Sequence, residues 1–239
     1  MTRQVSVIVP LYNEAENVPI LAARIETALA AMPDVEYECI PVNDGSTDGT
    51  HDELERLRQA DARIRPIHLL ENRGQSAALV AGMRRARGRY ILTLDGDLQN
   101  DPADLPKLLD LLEQYDCVCG YRVNRQDTRL RRVAGKTANW VRRRFLGGGV
   151  RDAGCGTKGF RRCCIEHIVP FNGAHRYLDL MVRNAGLTVV ECPVTHHPRL
   201  HGVSKYGIHD RLWRGLYDLI GVQWLLRRYV TYRIEGEGE

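Results

Sequence analysis

The chain has 239 residues, of which 44% are hydrophobic and 27% charged, a composition typical of one large globular domain with a sizeable core. No apolar run reaches the roughly 18 residues that a membrane-spanning helix needs, and the N-terminus has no hydrophobic signal segment. The seven cysteines form no Cys-x-x-Cys pair. Their odd number favours a reducing cytoplasm over a disulfide framework.

The net charge of +4 is distributed unevenly along the chain. Residues 1–120 carry 12 Lys/Arg and 20 Asp/Glu, whereas residues 121–239 carry 22 Lys/Arg and 10 Asp/Glu. An acidic half that can hold a metal ion is therefore followed by a basic half that suits an anionic partner. Nucleic acid, a phosphorylated substrate and a membrane surface are the three classes of partner that this charge favours.

Short apolar runs typical of strands alternate with longer runs of helical spacing over the first half of the chain. The pattern predicts strands over residues 4–9, 36–42, 66–70, 89–94 and 116–120. It predicts helices over residues 15–31, 51–60, 76–86 and 102–115. Beyond residue 121 it predicts one more strand over 187–194 and an amphipathic helical stretch over 207–230.

This alternation predicts an α/β fold in which a mostly parallel, doubly wound sheet carries helices on both faces. We expect a single domain over residues 1–230, divided into 1–120, 121–206 and 207–230, and an acidic tail over 231–239. Ligands of such sheets bind outside the carboxyl ends of the strands. The segments that should line this crevice are therefore those that follow strands, namely Leu11–Glu14, Asn43–Ser46 and Asp95–Gln99.

Two aspartates, Asp95 and Asp97, end the fourth predicted strand in the sequence YILTLDGD. Residues i and i+2 of an extended segment point the same way, so both carboxylates can face one point. Hard oxygen ligands suit Mg²⁺ or Mn²⁺, which usually complete their shell with water and substrate phosphates. Solvated turns often carry this pattern too, and the second acidic strand end at Asp44 is what favours a functional site.

Asp44 and Asp48 lie in the segment NDGSTDGT, which follows the second predicted strand. A carboxylate directly after a strand can accept hydrogen bonds from a base edge or a ribose hydroxyl, and this role is predicted for Asp44. For Asp48 the structural role of capping the next helix is favoured.

Several common site motifs are absent from the sequence: the Rossmann glycine motif, the Walker-type phosphate loop, the hydrolase elbow and the HExxH metal helix. The glycine run at Gly147–Gly149 lacks the strand and helix of a phosphate loop and is interpreted as a flexible bend. His196, His197 and His201 are interpreted as a polar loop, because a zinc site needs further ligands at suitable spacing.

Basic residues dominate the stretch Arg122–Arg144, which holds nine Lys/Arg and one acid. A solvated helix face would alternate charge signs, and a nucleic-acid surface would interleave more aromatic side chains, so we expect no nucleic-acid partner. A phosphate or an anionic membrane surface fits better. Arg131 and Arg132 are predicted to clamp an acceptor phosphate, and Arg199, Ser204 and Lys205 are predicted anion contacts.

The amphipathic stretch 207–230 has two interpretations. Its apolar residues recur at helical spacing and are flanked by arginines. It can pack on the domain as an ordinary helix, or it can lie in a membrane surface. The sequence favours membrane contact only slightly.

These motifs resemble those of family 2 glycosyltransferases with the GT-A fold, and among them the polyprenyl-phosphate sugar synthases typified by dolichyl-phosphate mannose synthase. The resemblance extends over residues 4–230. It rests on VPLYNE (9–14), NDGSTDGT (43–50) and DGDLQNDP (95–102), with DAGCG and GFR (152–161) and PR and GVSKYG (198–207) as acceptor-side segments. Asn43 stands where the family often has an acidic residue.

The resemblance implies roles for individual residues. Nucleotide binding is expected from Pro10, Tyr12, Glu14, Asp44 and Asp95, and a Mg²⁺ or Mn²⁺ ion from Asp95, Asp97 and Gln99. Contacts to the acceptor phosphate are expected from Arg122, Arg132, Arg199 and Lys205, together with Arg131 and Ser204. Asp95, Asp97, Arg122, Arg132 and Asp152 form the expected catalytic set, with Asp152 orienting the acceptor loop.

The expected activity is metal-dependent, inverting transfer of a hexose from a nucleotide-diphosphate sugar to an undecaprenyl or dolichyl phosphate. One alternative is transfer to a saccharide or protein hydroxyl, for which Asp152 is the candidate base. A second alternative is a non-catalytic relative that binds anions or membranes. The expected location is the cytoplasm, peripheral on the inner face of the membrane, and a membrane-embedded subunit is a candidate partner.

Overall fold

The computed structural model describes residues 2–123, 137, 140–198 and 208–230, and for residues 208–216 it describes the backbone alone. Seven strands form one sheet: β1 Arg3–Leu11, β2 Val35–Asn43, β3 Ile67–His68, β4 Tyr90–Thr93, β5 Cys117–Arg122, β6 Lys158–Arg161 and β7 Val189–Val194. Their order across the sheet is β3-β2-β1-β4-β6-β5-β7. All neighbours are parallel except that β6 runs antiparallel to β4 and β5. The predicted, mostly parallel sheet is confirmed.

Helices cover both faces of this sheet, as predicted. They are α1 Val18–Ala30, α2 Thr50–Ala60, α3 Gln75–Arg85, α4 Leu105–Leu111, α5 Leu178–Asn184 and α6 Ile208–Arg228, and residues 140–145 are also helical. One apolar core joins the sheet to α1, α2 and α4. The other joins the opposite face to α3, α5 and α6. Among the described residues no helix is both long enough and apolar enough to span a bilayer.

Strand β6 is the main feature that the sequence pattern does not predict. It has four residues, Lys158–Arg161, and lies near the middle of the sheet between β4 and β5. A lysine and a glycine occupy two of its three buried positions, so no apolar run or alternation marks it as a strand. Its position depends on pairing with distant strands rather than on local sequence.

Two predicted elements are shorter than expected. The helix predicted over 102–115 is a short 3₁₀ turn, Pro102–Asp104, followed by α4. Pro106 lies in the first turn of α4, where its missing N–H removes no helical hydrogen bond, so the α-helix begins there. The third strand, predicted over 66–70, has only two residues at the edge of the sheet.

Two glycines lie inside helices but have different surroundings. A Cβ on Gly82 in α3 would overlap Ile8 Cγ2 and lie 3.1 Å from Val42 Cγ2. A Cβ on Gly221 in α6 would meet nothing within 4 Å. Gly82 therefore allows α3 to approach β1 and β2 closely, whereas Gly221 has no such role.

We expect Gly82→Ala to lower the free energy of unfolding by about 1–2 kcal/mol, because overpacking exceeds the gain in helix propensity. Gly221→Ala gains the propensity without a clash and should raise that free energy by up to about 1 kcal/mol. Urea denaturation of the two variants and the unsubstituted protein measures both values. Shifts of the same sign for the two variants would contradict this packing assignment.

Candidate active site

The loops that follow β1 and β2 are joined by backbone and side-chain hydrogen bonds. Asn13 adopts a positive φ of 55°, its N–H donates to Ser46 Oγ at 2.9 Å, and its side-chain oxygen accepts the N–H of Thr47 at 2.8 Å. The N–H of Glu14 donates to Thr50 Oγ1 at 3.0 Å. The two loops therefore form one wall at the carboxyl ends of the strands.

The loop that follows β4 lies against the end of β1. A Cβ on Gly96 would overlap Leu11 Cδ2 and lie 3.1 Å from Pro10 O. Leu11 O also accepts the N–H of Asp44 at 2.8 Å. The structure therefore brings together the three segments that the sequence predicted to share a crevice. Half-buried Tyr12 and Glu14 lie in the first of them, and half-buried Pro10 lies directly before it in β1.

Asp44 is buried, and its carboxylate anchors a fourth loop. Its Oδ1 and Oδ2 accept the N–H groups of Arg73 and Gly74, each at 2.8 Å. Burial raises the pKa of Asp44, and these two hydrogen bonds partly offset that effect. Each carboxylate oxygen has two lone pairs, so a ribose or base can still donate to it. Asp44 therefore also orders the entrance to α3.

Asp48 ties the start of α2 to the loop after β1. Its Oδ1 accepts the N–H of Thr50 at 3.0 Å and the Thr50 hydroxyl at 2.5 Å, and its Oδ2 accepts the N–H of Ala15 at 3.2 Å. Burial raises the pKa of Asp48, but these hydrogen bonds outweigh it and lower the pKa below its ordinary value. The N-cap position of α2 is Gly49, so Asp48 supports the start of the helix from one residue before the cap rather than as the cap itself, as the sequence had suggested.

Asp95, two residues before Asp97, is held between two residues that come from different parts of the chain. Its Oδ1 accepts a hydrogen bond from Gln75 Nε2 at 2.7 Å. On the other side, a Cβ on Gly156 would overlap the Asp95 carboxylate, so only glycine fits there. Asp97 Oδ1 accepts the N–H of Gln99 at 3.2 Å, which turns the chain after the aspartates.

The electrostatics of the two aspartates fit a cation. Burial and the neighbouring charge of Asp97 raise the pKa of Asp95 to about 6. A divalent ion would relieve this repulsion, because two carboxylates at one strand end offer hard oxygen ligands. No cluster of three or more His, Cys, Asp and Glu ligands occurs among the described residues. An ion there would draw its further ligands from outside that group of residue types, namely from an amide such as that of Gln99, from water and from substrate phosphates.

Gln99, which the resemblance assigns to the metal, lies at a junction with the segment after β7. Its Nε2 donates to His197 O at 3.4 Å, and its backbone O accepts the N–H of His197 at 2.8 Å. The His197 ring contacts Asp101 Oδ2 at 2.8 Å. Between the aspartates and this junction, buried Leu98 has a positive φ of 60°. The histidine loop predicted from sequence is therefore attached to the loop of the aspartates.

Arg122 and Asp152 form a bidentate ion pair. Arg122 Nε lies 2.7 Å from Asp152 Oδ2, and Arg122 Nη2 lies 2.8 Å from Asp152 Oδ1. Burial disfavours the charged guanidinium, but the paired carboxylate outweighs this and raises the pKa of Arg122. Both oxygens of buried Asp152 are thus engaged, which disfavours Asp152 as a proton acceptor and supports a structural role.

The glycine run Gly147–Gly149 lies shortly before Asp152 in the chain, and a buried arginine fixes the end of this run. Gly147 and Gly149 have positive φ values of 73° and 119°, as a bend requires. Arg142 Nη2 donates to Val150 O at 2.7 Å, and Asp179 accepts from both Arg142 and the N–H of Val150. Arg142, which belongs to the predicted anion-binding run, therefore has a structural role.

Five predicted anion contacts lie outside the described residues. They are Arg131, Arg132, Arg199, Ser204 and Lys205. Among the described residues, Arg151 is a further arginine of this basic half, and the sequence analysis did not single it out. Its guanidinium stacks 4.0 Å from the centre of the Tyr121 ring and contacts Glu191. Arg151 directly precedes Asp152, and this adjacency to a predicted motif is the signal that could have found it.

Three further residues surround Asp95 without having been predicted. They are Gln75, Gly156 and Lys158, a buried lysine in β6. Gly156 and Lys158 belong to the acceptor-side segment of the sequence, and Gln75 begins α3. No local pattern links them to Asp95: the pairing of β6 with β4 brings Gly156 and Lys158 beside it, and Gln75 reaches it from the start of α3.

Comparison with known proteins identifies the family. The sequence model described as Glycosyl transferase family 2 matches residues 6–168. The chain belongs to glycosyl transferase family 2. This membership confirms the expected enzyme class, a glycosyltransferase.

Curated relatives of this glycosyltransferase confirm the closer resemblance as well. The dodecaprenyl-phosphate galacturonate synthase of Rhizobium johnstonii is 39% identical over 235 residues, which cover 94% of this chain and 68% of that protein. An undecaprenyl-phosphate 4-deoxy-4-formamido-L-arabinose transferase of Pseudomonas syringae pv. syringae is 36% identical, with 90% and 64% covered. This chain therefore spans 64–68% of the length of these two relatives.

Solved structures confirm the GT-A fold. A mannosyltransferase from Pyrobaculum calidifontis, in complex with GDP-Man and Mn²⁺, has a TM-score of 0.66 at 18% identity, covering 97% of this chain and 66% of that one. Glucosyl-3-phosphoglycerate synthase from Mycobacterium tuberculosis, in complex with Mn²⁺, UDP and glucosyl-3-phosphoglycerate, has a TM-score of 0.68 at 18% identity, with 96% and 81% covered. At this identity the likeness concerns the fold.

The raised pKa of Asp95 predicts a stability effect. In the folded state Asp95 holds its proton up to a pH of about 6, whereas the unfolded chain releases it near 3.9. Ionised Asp95 therefore costs stability that appears as pH rises between these values and persists above them. In metal-free buffer at about pH 8, Asp95→Asn should raise the free energy of unfolding by about 3 kcal/mol.

The gain should shrink towards about pH 4, where the unsubstituted side chain is protonated as well. Glu36→Gln, which neutralises an exposed carboxylate in β2, is the control and should change little at either pH. Urea denaturation at both pH values provides the measurement. A pH-independent effect of Asp95→Asn would contradict the assignment.

Proposed function

We propose that this glycosyltransferase transfers a hexose from a nucleotide-diphosphate sugar to a polyprenyl phosphate, inverting the anomeric carbon and using Mg²⁺ or Mn²⁺. The observation that carries the proposal is the Asp95–Asp97 pair at the end of β4, held against the loop after β1. The names of the curated relatives, which describe polyprenyl-phosphate sugar enzymes, supply the acceptor class.

On the donor side, Pro10, Tyr12, Glu14 and Asp44 would bind the nucleoside. The metal would be held by Asp95 and Asp97 with Gln99, and when bound it neutralises negative charge on the leaving diphosphate. The chain's own residues orient this site: Gln75 fixes one oxygen of Asp95, and Gly156 leaves room for its carboxylate.

In the transfer step an oxygen of the acceptor phosphate forms a bond to the anomeric carbon. The bond from that carbon to the diphosphate oxygen breaks, and its electron pair leaves with the nucleoside diphosphate. A phosphate monoester loses its second proton at a pH of about 6, so the nucleophile is already anionic near neutral pH. The reaction therefore needs little help from a general base.

On the acceptor side, cationic residues would bind the phosphate of the lipid. Arg122 is oriented for this by its bidentate pair with Asp152 and remains partly exposed. Arg131, Arg132, Arg199, Ser204 and Lys205 are the further proposed contacts. The alternative, a hydroxyl acceptor, would require Asp152 as base, and its engagement by Arg122 disfavours that reading.

An exposed aromatic face supports contact with the membrane that holds such a lipid. Helix α6 packs on the core through Leu219 and Val222 but exposes Tyr217, Ile220 and Trp224, which share one side at helical spacing. Gln223 of α6 donates to Phe145 O at 3.4 Å, so residues 140–145 lie beside it. The aromatic face consists of exposed Trp140, Phe145, Tyr217, Ile220 and Trp224, and of exposed Arg143, Arg144, Arg227 and Arg228.

Aromatic and aliphatic side chains between arginines are typical of helices that lie in an anionic lipid surface. Both interpretations of the 207–230 stretch are therefore compatible, since one side of α6 packs inward while the other is exposed. We propose peripheral contact with the inner face of the membrane. The seven free cysteines support a reducing compartment. A membrane-embedded subunit is the alternative occupant of this face.

The reaction is tested with purified protein, Mn²⁺, undecaprenyl phosphate and a panel of UDP- and GDP-sugars, with glycolipid detected by mass spectrometry. One glycolipid that disappears when metal is chelated supports the proposal and identifies the donor. Nucleoside diphosphate release without glycolipid would point to a hydroxyl acceptor instead.

Asp97→Ala should reduce glycolipid formation to below about a hundredth of the unsubstituted rate even at saturating Mn²⁺. Asp110→Ala is the matched control, because Asp110 is an exposed carboxylate that pairs with Arg3 at the start of β1. It should retain full activity. Near-normal turnover by Asp97→Ala would contradict the metal assignment.

Replacing Ile220 and Trp224 together by serine should abolish flotation with vesicles of phosphatidylethanolamine and phosphatidylglycerol, because it removes the exposed apolar stripe of α6. The control is Leu70→Ser, which removes a fully exposed leucine two residues after the edge strand β3 and should leave flotation unchanged. Flotation of both variants to the same extent would show that the aromatic face is not the lipid contact.

A further inference from the structure

Lys158 is a buried cation for which the transfer reaction described above has no use. Its side chain is only 3% exposed, although lysine is almost never buried to this extent without a specific reason. It begins β6, where it pairs with Thr93 of β4 in the antiparallel register. Its place in the sheet, next to the predicted metal ligands, suggests an electrostatic role.

The register places Lys158 on the same face of the sheet as Asp95. Thr93 lies opposite Lys158, so Asp95, two residues further along, lies opposite Gly156. The close approach of Gly156 to the Asp95 carboxylate fits this extension of the register. Diagonal neighbours on one face of a strand pair lie about 7–8 Å apart. Asp95 and Lys158 are such neighbours.

The side chain of Lys158 turns back towards the aspartates. Its ammonium donates to Cys155 O, the carbonyl that directly precedes Gly156. Its positive charge is among those that lower the pKa of Asp95, together with that of Arg122, while burial and Asp97 act in the opposite direction. Half-buried His175 also lies within reach of this charge.

The local charges nearly balance before any ligand binds. Asp95 and Asp97 contribute two negative charges and Lys158 one positive charge, while Arg122 and Asp152 compensate each other. A free divalent ion would therefore leave an excess positive charge beside a buried ammonium. The same ion bound with a diphosphate adds no net positive charge, because the diphosphate supplies the missing negative charges.

We propose that Lys158 keeps the affinity of the Asp95–Asp97 site for a free divalent cation low, so that the cation is retained only together with the nucleotide diphosphate. The identity of that ligand rests on the proposed function. The cation then enters with the donor, and the site binds the cation more weakly once the nucleoside diphosphate product has left. Lys158 acts through the charge that it places beside Asp95 and does not touch the substrate.

The test measures Mn²⁺ binding to the nucleotide-free protein. The concentration of unbound ion is monitored by electron paramagnetic resonance. Lys158→Gln keeps a hydrogen-bond donor for Cys155 O but removes the charge, and it should bind Mn²⁺ at least about tenfold more tightly than the unsubstituted protein. Lys158→Arg keeps the charge and should bind as weakly as the unsubstituted protein. Lys107→Gln removes a lysine charge from the exposed side of α4 and serves as control.

Adding UDP or GDP should reduce the difference between Lys158→Gln and the unsubstituted protein, because the diphosphate supplies the negative charge. Thermal unfolding checks that each variant is folded, and Lys158→Met, of similar length and also uncharged, replaces Lys158→Gln if that variant unfolds. Unchanged, weaker or undetectable Mn²⁺ binding by the folded uncharged variant would overturn the proposal. Failure of the proposed function is seen separately, as absence of glycolipid with the unsubstituted protein.

Discussion

The antiparallel pairing of β6 with β4 is the constraint on which the arrangement of the site depends. The two aspartates follow β4 at the carboxyl ends of the parallel strands. Because β6 runs antiparallel to β4, it starts at this same end of the sheet, so the segment leading into β6 must cross the end of β4. The crossing brings Gly156 against the Asp95 carboxylate, and Thr93 Oγ1 donates to Gly156 O at 2.6 Å to hold it there. The acidic and basic halves of the chain thus share one site because of a four-residue strand.

Structural features that depend on short stretches of sequence can be predicted from the sequence. The apolar runs of β1, β2 and β4 and the i+2 spacing of Asp95 and Asp97 locate the crevice, because the carboxyl ends of parallel strands meet at one edge. The contact of Asp48 with the N–H of Thr50, two residues further on, follows from the same kind of short-range rule. The contacts of Asp44 do not, since its hydrogen-bond donors, Arg73 and Gly74, come from a loop about thirty residues away.

The same limit applies to β6. Its lysine and glycine carry no strand signal, and only the pairing of the whole sheet shows that Lys158 is buried and that Gly156 faces Asp95. Sequence motifs indicated that residues 152–161 matter, but they did not indicate that this segment completes the surroundings of the aspartates. A motif shows where a functional segment lies, whereas its partners depend on tertiary structure.

The basic character of the second half divides into two kinds of arginine. Arg122 and Arg142 are paired with buried aspartates and organise the protein, although both belong to the run that the sequence analysis assigned to anion binding. Exposed arginines, such as Arg143 and Arg144 beside Trp140, carry charge that a membrane surface or a phosphate can meet. The net charge of a segment therefore overstates the positive charge that is available for binding anions, because part of this charge is already neutralised by aspartates inside the fold.

The left-handed conformation of Leu98 has a consequence for the thermodynamics of ligand binding. A residue other than glycine in this conformation costs about 1 kcal/mol or more, and Leu98 offsets this cost by burying its side chain completely. The turn that follows Asp97 is therefore ordered by the free energy of folding before any ligand arrives. Binding then loses less conformational entropy at this turn, and such preorganisation leaves more of the interaction energy for affinity and for the transition state.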